Sequence, residues 1–378
     1  MRVRAGTRGD LQPDRYAQPG RVGHGLLREA HTELHRGRGR AVKVLVTGAT
    51  GFLGSHTVRA LRRDGHDVRV MVRTPTKATA LFERMHIDGC EIVTGDITDR
   101  SSVEAAVDGC DAVVHAAAVV AIEPTREAEM HATNLAGAEN VLGAAVDAGC
   151  DPVVHVSTVA ALFPFQTDPV TAEHPVVGAE NGYGQTKAAC ERVARSLQDA
   201  GHPVVTIYPS GIVGPEDWNE SINLNSVKLW IEKGFPVAKG YSGSYVDVRD
   251  LADVIAVSVR PGQGSARLLC MGTYLTAREQ VATMSEAIGA DFASMPLPKP
   301  VWWVWSRLGD LAARVGVDLV LTSDGYDYIF HSKPGDDSAT IERTGVTFRP
   351  IVDTWRDMFT WMLEQEMVPA KRLGMLAD

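Results

Sequence analysis

Residues 42–54 read Val-Lys-Val-Leu-Val-Thr-Gly-Ala-Thr-Gly-Phe-Leu-Gly, and the prediction of the fold starts from this segment. An apolar, β-branched run leads into glycines spaced Gly-x-x-Gly-x-x-Gly, and a segment of helical length precedes the next apolar run, Val68–Val72. Strand, glycine turn, helix and strand in this order predict a βαβ unit. Glycines at such a turn let the backbone approach a phosphate at the helix N-terminus. We therefore predict dinucleotide binding by Gly48, Thr50, Gly51, Phe52, Leu53 and Gly54.

The same alternation of apolar runs and helix-capable stretches continues beyond this unit. The further strand candidates are Glu91–Thr94, Asp111–His115, Val153–Ser157 and Val204–Tyr208. Runs this apolar suit a parallel sheet covered on both faces. We predict an α/β fold with a Rossmann-type doubly wound parallel sheet in residues 42–215, to which segments at about 245–275 could return. Residues 216–378 are predicted to form mainly a smaller α/β substrate lobe.

Charge and composition limit the partners and the compartment. Residues 1–41 hold nine Arg against four acidic residues although the whole chain of 378 residues carries a net charge of −9. We interpret them as a disordered basic N-terminal extension with too little apolar surface to fold. The acidic remainder argues against nucleic acid as a partner.

No apolar run reaches the roughly 18 residues of an integral membrane segment. Five cysteines without a Cys-x-x-Cys pair indicate reduced thiols, a cytoplasmic location and no metal site.

The end of the second predicted strand bears on the choice of cofactor. An acidic residue there binds the ribose 2′-hydroxyl of NAD, whereas a basic residue suits the 2′-phosphate of NADP. This chain has Val72-Arg73-Thr74 at that place, and Lys77 follows one turn later. We therefore favour NADP(H), and NAD(H) stays the alternative.

Tyr183-Gly184-Gln185-Thr186-Lys187 places a phenol and an ammonium four residues apart, on one face of a predicted helix. A tyrosine ordinarily titrates near pH 10, and an adjacent ammonium favours the phenolate form that acid–base catalysis needs. The pair follows a strand that ends at Ser157-Thr158 and precedes Tyr208-Pro209-Ser210-Gly211-Ile212. This order raises the significance of a pair that chance alone often produces.

With these motifs in this order, the chain from about Val42 onward resembles the extended short-chain dehydrogenases/reductases, also called the epimerase/dehydratase superfamily. The resemblance implies that Tyr183 is the general acid/base and Lys187 its electrostatic partner and a ribose ligand. It further implies that Thr158 orients the substrate oxygen and that Asn134 organises the site. The positions that it assigns to the cofactor are Asp96, Ile97, Ala116, Ala117, Ala118, Pro209 and Ile212, together with Tyr183 and Lys187. It also implies a homodimer.

Among the branches of this superfamily, the basic residue after the second strand makes the chain look similar to the dihydroflavonol-reductase-like and 3β-hydroxysteroid-dehydrogenase-like members. We expect NADP(H)-dependent interconversion of a secondary alcohol and a ketone or aldehyde. Sugar-nucleotide dehydratases carry an Asp-Glu pair after the active-site Thr, whereas Val159-Ala160 follow Thr158 here. A sugar-nucleotide epimerase is the first alternative, and a non-catalytic dinucleotide sensor is the second.

Aromatic residues in the later loops bear on the substrate and on the surface. Phe163, Phe165, Trp218 and Tyr241 favour a small apolar substrate over a diphosphosugar. The cluster Trp302-Trp303-Trp305 is interpreted as packing in the core or between lobes, with a substrate wall or a weak membrane contact as alternatives.

Overall fold

The computed structural model describes residues 41–119, 127–178, 182–313 and 323–377. The predicted N-terminal extension therefore lies, apart from Ala41, outside the described residues. All of the residues predicted for catalysis and cofactor binding fall within the described ranges.

The strands form one large sheet and two small ones. The large sheet has seven parallel strands in the order β10-β6-β5-β4-β1-β2-β3, so the α/β class and the Rossmann-like sheet predicted from the sequence are confirmed. The strands are β1 Lys43–Thr47, β2 Asp67–Val72, β3 Glu91–Thr94, β4 Ala112–His115, β5 Val153–Val156, β6 Val204–Pro209, β7 Gly211–Val213, β8 Phe235–Val237, β9 Ser242–Asp247, β10 Ala266–Cys270, β11 Thr273–Thr276 and β12 Ser294–Pro296.

Helices cover the large sheet and build the C-terminal part of the chain. They are α1 Phe52–Arg63, α2 Pro75–Arg84, α3 Arg100–Val107, α4 Glu127–Asp147, α5 Gly182–Asp199, α6 Ile222–Lys233, α7 Val248–Ser258, α8 Ala277–Ile288, α9 Lys299–Ala313, α10 Ser323–His331, α11 Ser338–Thr344 and α12 Ile351–Glu364. Short 3₁₀ turns lie at Val159–Ala161, Ala370–Arg372 and Gly374–Ala377.

Burial explains why the central strands could be read from the sequence. Every residue of β4 and β5 is buried, and so are the last four residues of β1. Strands covered on both faces lose the alternation of polar and apolar residues that marks a half-exposed strand. Strands β2 and β3 lie on one side of β1 and strands β4 to β6 on the other, so the strand order reverses between β1 and β4, and ligands of open α/β sheets bind in the crevice at such a point.

The segment at about 245–275 supplies strands to two sheets. Strand β10 pairs with β6 at the edge of the large sheet, whereas β9 pairs with β7 and β11 in a three-stranded sheet. The end of β9 is fixed by charge. Asp247 is almost fully buried, caps α7 and pairs with the Arg249 guanidinium at 2.7 Å. Arg349 in turn bonds Asp250 at 2.6 Å, which ties the C-terminal residues to this helix.

The C-terminal part of the chain has an aromatic core of its own. Trp355, Phe359 and Phe235 are fully buried in it, and the Trp355 and Phe359 rings stack 6.1 Å apart. The interpretation of the Trp302-Trp303-Trp305 cluster as packing is right only for Trp302, which is 7% exposed. Trp303 and Trp305 are 50% and 54% exposed, because only the Trp302 face of α9 meets the core.

Candidate active site

The glycine loop between β1 and α1 lies against the chain that leaves β4. Gly48 has φ +74°, and a Cβ there would lie 2.5 Å from the Ala117 nitrogen. The Ala117 amide donates to the Thr47 hydroxyl at 3.4 Å. The predicted cofactor residues Ala116 to Ala118 are thus brought beside the loop. Only glycine tolerates both this backbone angle and this approach.

The helix after the loop presents an N-terminus suited to an anion. Gly51 is the N-cap of α1 and has no side chain to occupy the first amides, and no side-chain cap bond is made there. The carbonyl of Thr50, just before this cap, accepts a hydrogen bond of 2.5 Å from the Asn219 side-chain amide. Phe52 and Leu53 begin the helix, and Leu53 is buried. The free amides and the helix dipole together favour a phosphate.

Two basic side chains follow β2 at the carboxyl edge of the large sheet. Arg73 directly follows β2 and is exposed, and Lys77 is exposed in the first turn of α2. Neither forms an ion pair with another described residue. Asp96, after β3, accepts hydrogen bonds from the Thr98 amide and hydroxyl, and these bonds, with the Arg73 charge, lower the pKa of its carboxyl.

Helix α4 holds the segment that follows β3. The Ile97 side chain fills the space above Gly137, where an added Cβ would lie 2.5 Å from Ile97 Cδ1. The Ile97 carbonyl accepts from the Asn140 amide at 2.9 Å. Asp96 and Ile97 are therefore held at the carboxyl edge of the sheet by contacts that need no ligand.

Helix α5 carries the predicted catalytic pair. Lys187 is buried and its Nζ lies 5.8 Å from the centre of the Tyr183 ring, whereas Tyr183 is half-buried. The helix begins at Gly182, whose amide donates to Glu127 Oε1 of α4 at 2.8 Å. The spacing of four residues thus places both groups on one face, as the sequence predicts.

Thr158 follows β5 and meets the end of β6. Its hydroxyl donates to the Pro209 carbonyl at a long 3.4 Å and accepts from the Ala160 amide at 3.3 Å. Ile212, in β7, has its carbonyl bound by the Asn223 amide at 3.0 Å. The site therefore combines Thr158 after β5 with Pro209 at the end of β6 and Ile212 in the strand that follows. The weak bond to Pro209 leaves the Thr158 hydroxyl easy to redirect toward a ligand.

Asn134 of α4 holds backbone. Its Oδ1 accepts from the Val119 amide at 2.7 Å and its Nδ2 donates to the Val119 carbonyl at 2.8 Å. The side chain is 3% exposed, and it fixes the segment that continues from Ala116 to Ala118. This geometry makes Asn134 a positioning residue for that segment.

We expect Asn134→Ala to lower the free energy of unfolding by about 1–3 kcal/mol, because it leaves the half-buried amide and carbonyl of Val119 without their side-chain partner. Urea unfolding followed by circular dichroism measures the loss. Glu139→Ala, at an exposed position of the same helix, is the matched control. A variant as stable as the control would contradict this role.

Two further groups beside the catalytic pair were not predicted. Glu191, one turn after Lys187, is fully buried, and its Oε1 accepts from the Tyr208 hydroxyl at 2.6 Å and from Arg195 Nε at 3.1 Å. Burial raises the pKa of the Glu191 carboxyl. A charged residue beside Cys190 and Ala194 on an apolar helical face was the only signal for it in the sequence.

The second unpredicted group is Tyr328 of α10. Its ring packs 5.5 Å from that of Phe163, and burial raises the pKa of its hydroxyl, with further contributions from the nearby phenols of Tyr245 and Tyr183. A residue 145 positions from Tyr183 in the chain therefore lies near the catalytic phenol. Nothing local in the sequence marks it.

The aromatic residues predicted to surround the substrate are mostly packed in the interior. Phe163, Phe165 and Tyr241 are 5–8% exposed and belong to two hydrophobic clusters. Trp218 packs between the Arg84 guanidinium, 4.5 Å from its ring, and Trp361. These side chains thus stabilise the interior, and the small apolar substrate that they favour stays a prediction.

The described part of the chain contains neither a cluster of metal ligands nor a membrane-spanning helix. No group of three or more His, Cys, Asp or Glu residues there is arranged to hold a metal ion. Every helix in these ranges is too short or too polar to cross a bilayer. All five cysteines are free thiols.

Comparison with known proteins gives consistent matches. A family profile described as "NAD dependent epimerase/dehydratase family" matches residues 44–264. Sterol demethylase protein B of Methylococcus capsulatus is 27% identical in sequence, and the alignment covers 86% of this chain and 99% of that protein. A putative dihydroflavonol 4-reductase of Synechocystis is 25% identical, and the alignment covers 84% of this chain and 93% of that protein. The Bordetella bronchiseptica enzyme WbmH, solved in complex with NAD⁺, superposes with a TM-score of 0.64 at 25% identity over 86% and 99%.

Proposed function

Because the chain belongs to the NAD dependent epimerase/dehydratase family, we propose that it is an NADP(H)-dependent oxidoreductase interconverting a secondary alcohol and a ketone or aldehyde. The family acts on CH–OH groups with NAD(P). The observation that carries the finer proposal is the placement of Lys187 Nζ 5.8 Å from the Tyr183 ring, on the helix beside the strand ends that hold Thr158 and Pro209.

The glycine loop fits a dinucleotide. A Cβ at Gly48 or Gly54 would collide with neighbouring backbone, so the glycines allow the loop to close tightly in front of α1, whose first amides have no side-chain cap. We propose that these amides hold the pyrophosphate and that Asp96 and Ile97 border the adenine. Arg73 and Lys77 would hold the 2′-phosphate, and Pro209 and Ile212 would meet the nicotinamide end. When bound, the nicotinamide would supply or accept the hydride.

The protein's own groups would handle the proton. In the reducing direction, the Tyr183 hydroxyl donates a proton to the substrate oxygen while the Lys187 ammonium favours the resulting phenolate. The Thr158 hydroxyl, released from its 3.4 Å bond to Pro209, donates a hydrogen bond to the same oxygen. Asn134 keeps the segment after β4 in place.

An apolar substrate is supported by the surroundings of Tyr183. The Tyr328 ring packs 5.5 Å from that of Phe163, and the phenols of Tyr245 and Tyr183 are near its hydroxyl, so the neighbourhood of Tyr183 contains aromatic side chains. Val159, at the place where dehydratases carry an acid, is buried in the same cluster as Phe163. The name of the Synechocystis relative, a putative dihydroflavonol 4-reductase, agrees with an aromatic ketone as the substrate class.

We expect Arg73→Ala to weaken NADPH binding roughly 10- to 100-fold, since a hydrogen bond to a charged group contributes about 1.5–3 kcal/mol. NADH binding should stay unchanged because NADH has no 2′-phosphate. Fluorescence titration with both cofactors measures the difference, and Arg278→Ala, at an exposed position of α8, is the matched control. Equal affinities for both cofactors in wild type and Arg73→Ala would refute the NADP(H) assignment.

The two alternatives are separated by simple observations. An epimerase regenerates its cofactor in each turnover, so nicotinamide absorbance would not change during catalysis, whereas a reductase consumes NADPH in proportion to product. A sensor would bind NADPH yet convert none of a broad panel of ketones and alcohols. Stoichiometric NADPH consumption with at least one ketone is the result that we expect.

We further propose that residues 42–215 mainly bind the dinucleotide and residues 216–378 mainly the substrate. Tyr328 in the later range supports this division. The family resemblance supports a homodimer, which sedimentation at several concentrations would test. Five free thiols support a cytoplasmic location.

A further inference from the structure

Helix α9 exposes an unusual amount of apolar surface. Nine large hydrophobic side chains are exposed among the described residues, and six of them lie on this one helix. The most exposed are Leu311 at 59% and Trp305 at 54%. Scattered exposed hydrophobic residues are normal on a protein surface, but a contiguous patch usually marks an interaction site.

The exposed residues form one continuous stripe. The series 301, 304, 308, 311 and the series 301, 305, 308 both advance by three or four positions, which places all five residues on the same side of the helix. We call this stripe the α9 face, and its members are Val301, Val304, Trp305, Leu308 and Leu311.

The opposite side of the helix is firmly anchored. Trp302 is buried and packs 5.6 Å from the Tyr241 ring and 5.9 Å from the Phe330 ring. Ser306, one turn later, is also buried. The helix therefore cannot roll to bury the α9 face without breaking these contacts, so the stripe points outward in the folded chain.

Cations and an indole border the stripe. Arg307 stacks 5.6 Å from the Trp303 ring and makes a long ion pair of 3.9 Å with Asp310. Lys299, at the start of the helix, lies 4.7 Å from the Phe330 ring beside a shallow hollow that Trp303 also lines. Exposed indoles and long cationic side chains at the edge of an apolar face are typical of helices that lie in a membrane interface.

We propose that the α9 face docks the protein on the surface of an anionic lipid bilayer. The helix has 15 residues, fewer than the roughly 20 that span the hydrocarbon core, so it would lie in the plane of the interface. Charge favours this occupant over a second copy of the chain. The helix carries two cations, Lys299 and Arg307, against the one acid Asp310, so anionic headgroups are attracted to it, whereas a second copy would present the same excess of positive charge.

Flotation with unilamellar vesicles tests the proposal on the full-length chain. We expect binding to phosphatidylcholine vesicles that contain phosphatidylglycerol, weaker binding to pure phosphatidylcholine, and a blue shift of tryptophan fluorescence on binding. Leu308→Glu and Trp305→Glu should each reduce the vesicle partition coefficient roughly tenfold or more, because a carboxylate in the stripe must enter the apolar layer.

Leu229→Glu on α6 is the matched control, since Leu229 is 39% exposed on another helix and should leave vesicle binding unchanged. Thermal unfolding and NADPH binding of all variants show that the fold is kept. Vesicle binding that persists in Leu308→Glu would overturn the proposal and point elsewhere, for example to the basic residues 1–41. Absence of vesicle binding would also overturn it, and dissociation of an oligomer by Leu308→Glu would then identify a contact between copies. Neither result bears on the proposed reaction.

Discussion

We expect Tyr183→Phe to lower kcat by about 10²–10⁴-fold, the range for losing a general acid–base group. The substitution removes one hydroxyl and keeps the ring against which Lys187 Nζ lies at 5.8 Å. Because α5 is positioned by Gly182, Thr186 and its buried face, the helix should not move. NADPH affinity should therefore stay close to that of wild type, and the loss should fall on kcat.

The measurement is steady-state turnover of the best ketone of the substrate panel, together with an NADPH titration. Tyr274→Phe is the matched control, because it removes a phenol that only weakly bonds the Ser332 carbonyl, at 3.4 Å, away from α5. Lys187→Met should give a comparable loss of kcat with weaker cofactor binding, because the proposal makes Lys187 the partner of the phenol and the family resemblance makes it a ribose ligand. Full turnover by Tyr183→Phe would end the proposal that this phenol transfers the proton.

The large sheet could be predicted from the sequence because its determinants are local. Buried runs such as Val44–Val46 and Val153–Val156 stand out without any alternation, and the glycines after β1 mark the turn by their spacing. These signals lie within short windows of the sequence. The close approach that requires glycine at position 48, with φ +74°, is made by Ala117, 69 positions later, and could not be predicted in this way.

The rest of the site depends on contacts between distant residues. Tyr328 lies near Tyr183 only because α10 packs on the loop that holds Phe163, and no local pattern encodes that packing. In the sequence, Glu191 is a charged residue on an apolar helical face. Only the fold brings Tyr208 and Arg195, its hydrogen-bond partners, to the carboxylate. The prediction that the tryptophan cluster packs in the interior was wrong for Trp303 and Trp305 for a related reason. Composition indicates burial on average, but one side of α9 has no partner among the described residues.

We expect the free energy of unfolding to fall by about 4 kcal/mol between pH 7.5 and 5.5 from three buried histidines alone, at about 1.4 kcal/mol each. His56, His115 and His155 are 2–3% exposed. Burial lowers the pKa of His56 and of His115 to about 3, and that of His155 well below its usual value. The unfolded chain binds these protons near pH 6.5 and the folded chain does not. By linkage, their stabilisation is present above pH 6.5 and is lost as the pH falls.

Urea unfolding at several pH values measures this loss, and His155→Phe isolates one histidine. His155 stacks 5.8 Å from His115, and neither ring nitrogen has a hydrogen-bond partner among the described residues, so phenylalanine can replace it in place. The variant should lose about 1.4 kcal/mol less than wild type over this interval. Asp337, whose pKa burial raises to about 6, acts in the opposite direction below that pH, so the difference between the two profiles is the informative quantity. His331→Gln, an exposed change, should follow wild type. Parallel profiles for wild type and His155→Phe would show that His155 accepts its proton within the folded protein.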